Sequence, residues 1–150
     1  MPEIQVTDDA WVIDPPDNKK LRLNGIEINK ITATVGFAAF TAGGAAVGTY
    51  SLTEYIPAGA LDLGTAVTSV TGFTGDTSAA MTIGDGTDVD RYNTSTINVF
   101  ATAAGGIASG APSGALYHAA QVTPKLTITT AADWGSVDGG SVTIEMYYIS

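Results

Sequence analysis

Cysteine is absent from this 150-residue chain, and histidine occurs once, at position 118. Disulfides and thiolate metal sites are thereby excluded. His118 is left as the one imidazole able to activate a nucleophile. Basic residues are also scarce: six Lys and Arg stand against fifteen Asp and Glu, for a net charge of -9. A chain so acidic repels phosphate backbones and anionic headgroups, so neither nucleic acid nor membrane is expected as a partner. Charged residues of both signs make up only 14% of the chain, against a usual value of about 25%. No apolar run approaches the roughly 20 residues of a membrane span. The opening MPEIQVTDDAW has neither the basic start nor the apolar stretch of a signal peptide. Synthesis in a cytoplasm is expected, with any exit as part of something larger.

What fills the space left by charge is Thr and Gly. Thr favours a pleated, half-buried surface and Gly favours turns. With 45% apolar residues, the chain can build a core, although much of that fraction is Ala. Strand-like runs alternate with turn signals: 31–41, 49–56, 61–70, 79–83, 91–100, 116–122, 125–130 and 142–148. By period-two alternation Ile31, Ala33, Val35, Phe37 and Ala39 share a face, and Leu61, Leu63 and Val67 are expected inside. Turns are expected at 72–76, 84–86, 134–135 and 138–140, and loops at 41–48 and 101–114. No segment keeps a helical period. The pattern predicts an all-β fold, a β-sandwich or jelly roll of about eight short strands over residues 31–150.

Residues 1–30 read as a separate arm and hairpin. Pro2, Pro15 and Pro16 oppose helix, and Asp8, Asp9, Asp14 and Asp17 favour solvation. Trp11, Val12 and Ile13 break that pattern: three large apolar residues need a surface to bury them, on their own domain or on a neighbour. In Leu21-Arg22-Leu23-Asn24-Gly25-Ile26-Glu27-Ile28 the Asn-Gly step marks a two-residue hairpin. Leu23 then faces Ile26, Arg22 faces Glu27 and Leu21 faces Ile28, leaving one face apolar. An isolated hairpin is marginally stable, so this face must lie on the domain or on a partner. Lys19 and Lys20 sit just before it.

Residue sets with catalytic chemistry are hard to find. Asp85, Asp88 and Asp90 are candidate oxygen ligands for Ca²⁺, but their spacing does not fit the EF-hand loop. The alternative is a turn in which Asp85 and Asp88 accept bonds from local backbone N–H groups, with Arg91 neutralising it. His118, beside Tyr117 in an apolar stretch, reads as structural or interfacial, since no nucleophile motif accompanies it. Glu54 and Glu145 are the candidates for paired-carboxylate chemistry, with nothing to join them. Gly-rich stretches are not followed by a phosphate-binding Lys. Trp11, Trp134, Tyr50, Tyr55, Tyr92, Tyr117, Tyr147 and Tyr148 could form a sugar platform or belong to core and interface; Tyr147 and Tyr148 must point to opposite faces of their strand. No enzyme activity and no cofactor are expected.

The segments Ile56-Pro57-Ala58-Gly59-Ala60, Ile83-Gly84-Asp85-Gly86-Thr87-Asp88, Asp90-Arg91-Tyr92 and Gly140-Ser141-Val142-Thr143-Ile144-Glu145 together resemble small structural proteins of tailed bacteriophages. The resemblance runs over about residues 31–150. It implies a β-rich module on the virion, such as a head decoration (cement) protein on the outer capsid surface. The expected partners are the major capsid protein and copies of itself, with a homotrimer at a local three-fold axis as the arrangement. The expected contact residues are Trp11, Val12, Ile13, Lys19, Lys20, Leu21, Arg22, Leu23, Ile26 and Ile28. The alternative is a tail- or fibre-associated module that binds a receptor or glycan through aromatics and Gly-rich loops.

Overall fold

The computed structural model describes residues 26–93, 95–100 and 115–150 in full, and residues 12–13, 21–23 and 108–110 as backbone. Alternation dictates the central element. In β11 (Gly139–Ile149) Val142, Ile144 and Met146 point inward and are at most 2% exposed. It pairs antiparallel with β3 (Ile26–Gly36) on one side and β6 (Leu61–Thr74) on the other. Outside these lie β9 (Ala108–Gly110) on β6, and β2 (Leu21–Leu23) then β1 (Val12–Ile13) on β3. The second sheet runs β4 (Thr41–Gly44), β5 (Val47–Ser51), β10 (Lys125–Thr130), β7 (Ala79–Gly84) and β8 (Ile97–Asn98) in spatial order.

From β3 onward the chain passes repeatedly between sheets. It places β3, β11, β6 and β9 side by side in one, and β5, β10, β7 and β8 in the other. This is the eight-strand, two-sheet jelly roll, with β4 as an added edge strand and β1–β2 extending the opposite sheet. The fold is all-β, as expected. Single 3₁₀ turns at Phe37–Ala39 and Trp134–Ser136 accompany the strands.

The core lies between the sheets. Val67, Met81, Ile83, Val99, Leu126, Ile128 and Ile144 are fully buried, each contributing on the order of 1.5–3 kcal/mol. One end is filled by rings: Phe40 sits 5.4 Å from Trp134 and 5.9 Å, edge-on, from Phe73. This explains Gly48, where a Cβ would stand 2.3 Å from the Trp134 ring. Gly140 adopts φ 115°, and a Cβ there would lie 2.6 Å from the Phe73 backbone.

Several local expectations give way. The β3 alternation buries Ile31 and Val35 but stops at Gly36, and Phe37–Ala39 turns as 3₁₀. Strand β6 runs on to Thr74, through the expected turn at 72–76, and carries three register shifts against β11. A bulge adds a residue and switches side-chain parity, so Leu61 and Leu63 point outward while Asp62 is buried at 6% exposure. The expected loop at 41–48 contains β4 and the start of β5. The expected loop at 101–114 contains β9. The expected strand at 91–100 shrinks to β8, because Asn93 turns inward and its Oδ1 accepts the Ile83 N–H at 2.6 Å. The run 116–122 holds only bridges, Tyr117 to Leu61 and Val122 to Ile56. Finally, β3 passes through residue 30 without a break, so hairpin and sandwich share one sheet.

Candidate functional site

The hairpin register is that expected from Asn-Gly: Leu21 opposite Ile28, Arg22 opposite Glu27, Leu23 opposite Ile26. The same register continues across the sheet. Ile28 pairs with Ile149, Ile149 with Leu61, and Leu61 with Tyr117. Directly opposed residues of an antiparallel pair share a face. Ile28 and Ile149 alternate with the inward Ile31 and Met146 set, so this is the outer face. In the other direction the backbone register adds Leu21 and then Ile13. Every position in the row, over six chain segments, is apolar. Exposed Leu63 and Leu116 stand beside it, and Ile26, 46% exposed, lies one pair further along β3.

The next outer position along β3 is charged but balanced. Lys30 Nζ lies 2.6 Å from Glu145 Oε1, and the Tyr147 hydroxyl donates to Glu145 Oε2. The Glu145 bond raises the Lys30 ammonium above its ordinary value, and raises Tyr147 likewise. A groove of about 240 Å³ opens here, lined by Ile28, Asn29, Lys30 and Tyr147.

A buried polar pair supports the row from inside. Between outward Leu61 and Leu63, Asp62 turns into the core; after outward Tyr117, so does His118. Their contact, Nε2 to Oδ2, is 2.8 Å. Around it the Asp62 N–H donates to the Leu116 carbonyl at 3.0 Å and the His118 N–H to Ala60 at 2.9 Å. Burial pushes the Asp62 carboxyl above the ordinary range, and the His118 bond partly offsets this. Among the described residues, His118 Nδ1 and Tyr92 Oη are buried without a hydrogen-bond partner. The pair ties the β6 bulge to the loop that carries Tyr117, and His118 itself is only 2% exposed. The spacing of 56 residues gave no signal for the pairing; the parity switch in β6 creates it.

The candidate ligands Asp85, Asp88 and Asp90 form a hydrogen-bonded turn. Asp85 Oδ1 accepts from the Thr87 and Asp88 N–H groups at 2.9 and 2.8 Å. Asp85 Oδ2 accepts from Arg91 Nη1 at 3.1 Å, and Arg91 Nη2 reaches the Ala115 carbonyl at 2.8 Å. Asp88 Oδ1 accepts from the Asp90 N–H at 3.3 Å. Backbone bonds and Arg91 hold the Asp85 carboxyl low despite its burial. Among the described residues no three His, Asp or Glu side chains converge on a common point.

Of the expected contact residues, Ile26 and Ile28 lie on the outer face of β3. Val12, Ile13, Leu21, Arg22 and Leu23 are placed by backbone pairing alone, and Trp11, Lys19 and Lys20 lie outside the described residues. Among the described residues the aromatic side chains do not gather into one platform. Trp134 and Tyr92 are core residues, Tyr148 packs on the core, and Tyr55 and Tyr117 are exposed. A polar groove of about 490 Å³ is lined by Ser51, Asp85, Thr87, Gln121, Thr123 and Lys125 among others, with no ring.

No protein-family model and no curated protein matches the sequence. One solved structure does share the fold: a chain of the cyanophage Pam1 capsid asymmetric unit superposes with a TM-score of 0.62 at 16% identity, covering 99% of this chain and 99% of that one.

Proposed function

We propose that this chain is a bacteriophage capsid decoration (cement) protein. In this reading it sits on the outer head surface and bridges neighbouring major capsid subunits, as a homotrimer without catalytic activity. The observation that carries the reading is the end-to-end fold correspondence with a chain of a phage capsid asymmetric unit. Coverage of 99% on both sides means that the correspondence is not confined to a part of either chain. The apolar row and the hairpin supply area of the kind that a bridging protein must bury. A standard interface removes about 1,600 Å² from water, and repetition over a shell multiplies the gain. The net charge of -9 suits a surface that faces solvent rather than packaged nucleic acid. The tail or fibre alternative has no comparable support: of the two grooves described above, the polar one has no ring for a sugar to stack on and the other offers Tyr147 alone.

The test is to add the full chain to purified heads that lack it, then to image them by electron microscopy and heat them. Regular density over capsid seams and a higher disruption temperature are expected. Density confined to the tail, or heads that neither bind the protein nor gain stability, would overturn the reading.

A further inference from the structure

We propose that the polar groove beside the start of β10 is a peptide-binding site. An extended segment of a partner protein adds there as a short strand along residues 121–123 and sets a single carboxylate side chain on Lys125. The inference does not depend on where the protein sits in a particle. It begins where the β7–β10 ladder stops. That ladder is registered from Ala79 opposite Thr130 to Gly84 opposite Lys125. Beyond Gly84 the chain leaves the sheet, because the Asp85 N–H donates to the Asp88 carbonyl at 3.0 Å. The facing segment keeps strand-like bonding: Val122 exchanges both backbone bonds with Ile56, and the Pro124 carbonyl accepts from Leu52. Successive backbone groups of a strand point to alternate sides. Those of Val122 and Pro124 go one way, so those of Gln121 and Thr123 face the side that β7 has left. Among the described residues they meet no hydrogen-bond partner. The space between is the groove of about 490 Å³ lined by Ser51, Asp85, Thr87, Gln121, Thr123 and Lys125 among others.

The open backbone edge selects the class of ligand. A row of N–H and C=O groups at strand spacing matches a second polypeptide in β conformation, and main-chain bonds of this kind carry strand addition. Charge selects the side chain. Among the described residues Lys30 is paired with Glu145 and Arg91 with Asp85, while Lys125 has no ion pair. Alternation from inward Leu126 and Ile128 puts Lys125 and Thr123 on the outer face, where the ladder closes the groove. The opposite wall adds no open acceptor at Asp85: Oδ1 takes two backbone N–H groups and Oδ2 takes Arg91. Asp88 and Asp90 lie just past that wall, outside the lining, and repel a run of acids. The site therefore fits one carboxylate among uncharged residues rather than an acidic tract. The wall is also set in advance. Gly84 lets the turn fold back, since a Cβ there would stand 2.1 Å from the Asp88 carbonyl oxygen, and a preformed site lowers the ordering cost of binding.

Amide NMR on the full chain, titrated with the peptide acetyl-Thr-Val-Glu-Val-Thr-amide, tests this. Saturable shifts at the Gln121 and Thr123 amides, with slower hydrogen exchange there, are expected. The same peptide with Gln in place of Glu should bind about two- to fivefold more weakly, as for loss of one partly exposed ion pair. A tetra-aspartate peptide should bind no more tightly than the Gln peptide. Lys125→Gln should bind the Glu and Gln peptides equally, whereas Lys30→Gln should keep the preference. The two-peptide comparison on the wild type decides the charge even if Lys125→Gln fails to fold. No saturable shift at Gln121 and Thr123 up to millimolar peptide overturns the proposal. So does a Gln peptide that binds as well as the Glu peptide, a tetra-aspartate peptide that binds more tightly, or a folded Lys125→Gln protein that keeps the preference.

Discussion

His118 Nε2 lies 2.8 Å from Asp62 Oδ2, with both side chains withdrawn from solvent. Taking away one member of such a pair strands the other in the interior, at a cost of about 3 kcal/mol. His118→Ala should therefore be strongly destabilised in urea denaturation. Asp62→Asn keeps shape and an acceptor, and should lose nearer 1 kcal/mol. A His118→Ala protein within about 0.5 kcal/mol of wild type would show that the pair contributes little.

Asp76 contributes to the acid limb of stability. Its carboxylate accepts from the Ala132 and Asp133 N–H groups at 3.0 and 3.1 Å and from Thr77 at 2.6 Å, and these bonds hold it far below the usual range. A depressed folded value means that the stability is fully present above the unfolded value of about 3.9. It is lost as pH falls through the folded value. Asp62 has the opposite sign: its raised carboxyl favours the folded state at low pH and loses that contribution as pH rises through the raised value. Melting temperatures from about pH 5 down to about pH 2 should thus fall less for Asp76→Asn than for wild type. Parallel curves would remove Asp76 from the account.

Much of this fold was legible because its signals are local. Asn24-Gly25 set the β2–β3 register, and the Val142, Ile144, Met146 alternation set β11. The part that organises the outer face was not. Period two puts Leu61 and Leu63 inside with Val67; bulges in β6 reverse this, and a bulge depends on the partner strand. The apolar row needs three pairings between segments far apart in sequence, Ile28 with Ile149, Ile149 with Leu61 and Leu61 with Tyr117, and no window of residues displays it. β9 is likewise fixed by the free edge of β6, since Ala108-Ser109-Gly110 has little strand propensity of its own. The Asp85 turn was readable, because Asx bonding is decided within three residues.

Calcium should leave the protein unchanged. Asp85 Oδ1 is occupied by two backbone N–H groups and Oδ2 by Arg91, so a cation would have to displace bonds already made. Millimolar calcium is expected to give no thermal shift, whereas Arg91→Ala should destabilise by about 1–3 kcal/mol. Arg91→Lys should rescue poorly, because a single ammonium lacks the fork that spans Asp85 and the Ala115 carbonyl. A clear rise in melting temperature with calcium would return these acids to the role of ligands.

Removal of residues 1–25 separates the hairpin from the sandwich. β3 would keep its nine registered pairs with β11, Ile28 to Gly36 against Ile149 to Ser141, and the core between the sheets is untouched. The truncated chain should therefore still unfold cooperatively. It would lose the β2 positions opposite Ile26 and Ile28, and with them Trp11, Lys19, Lys20 and Arg22. Under the decoration reading its occupancy on heads should drop at least about tenfold at a concentration where the full chain saturates, a loss of about 1.4 kcal/mol or more. Full occupancy by the truncated chain would remove the arm from the attachment.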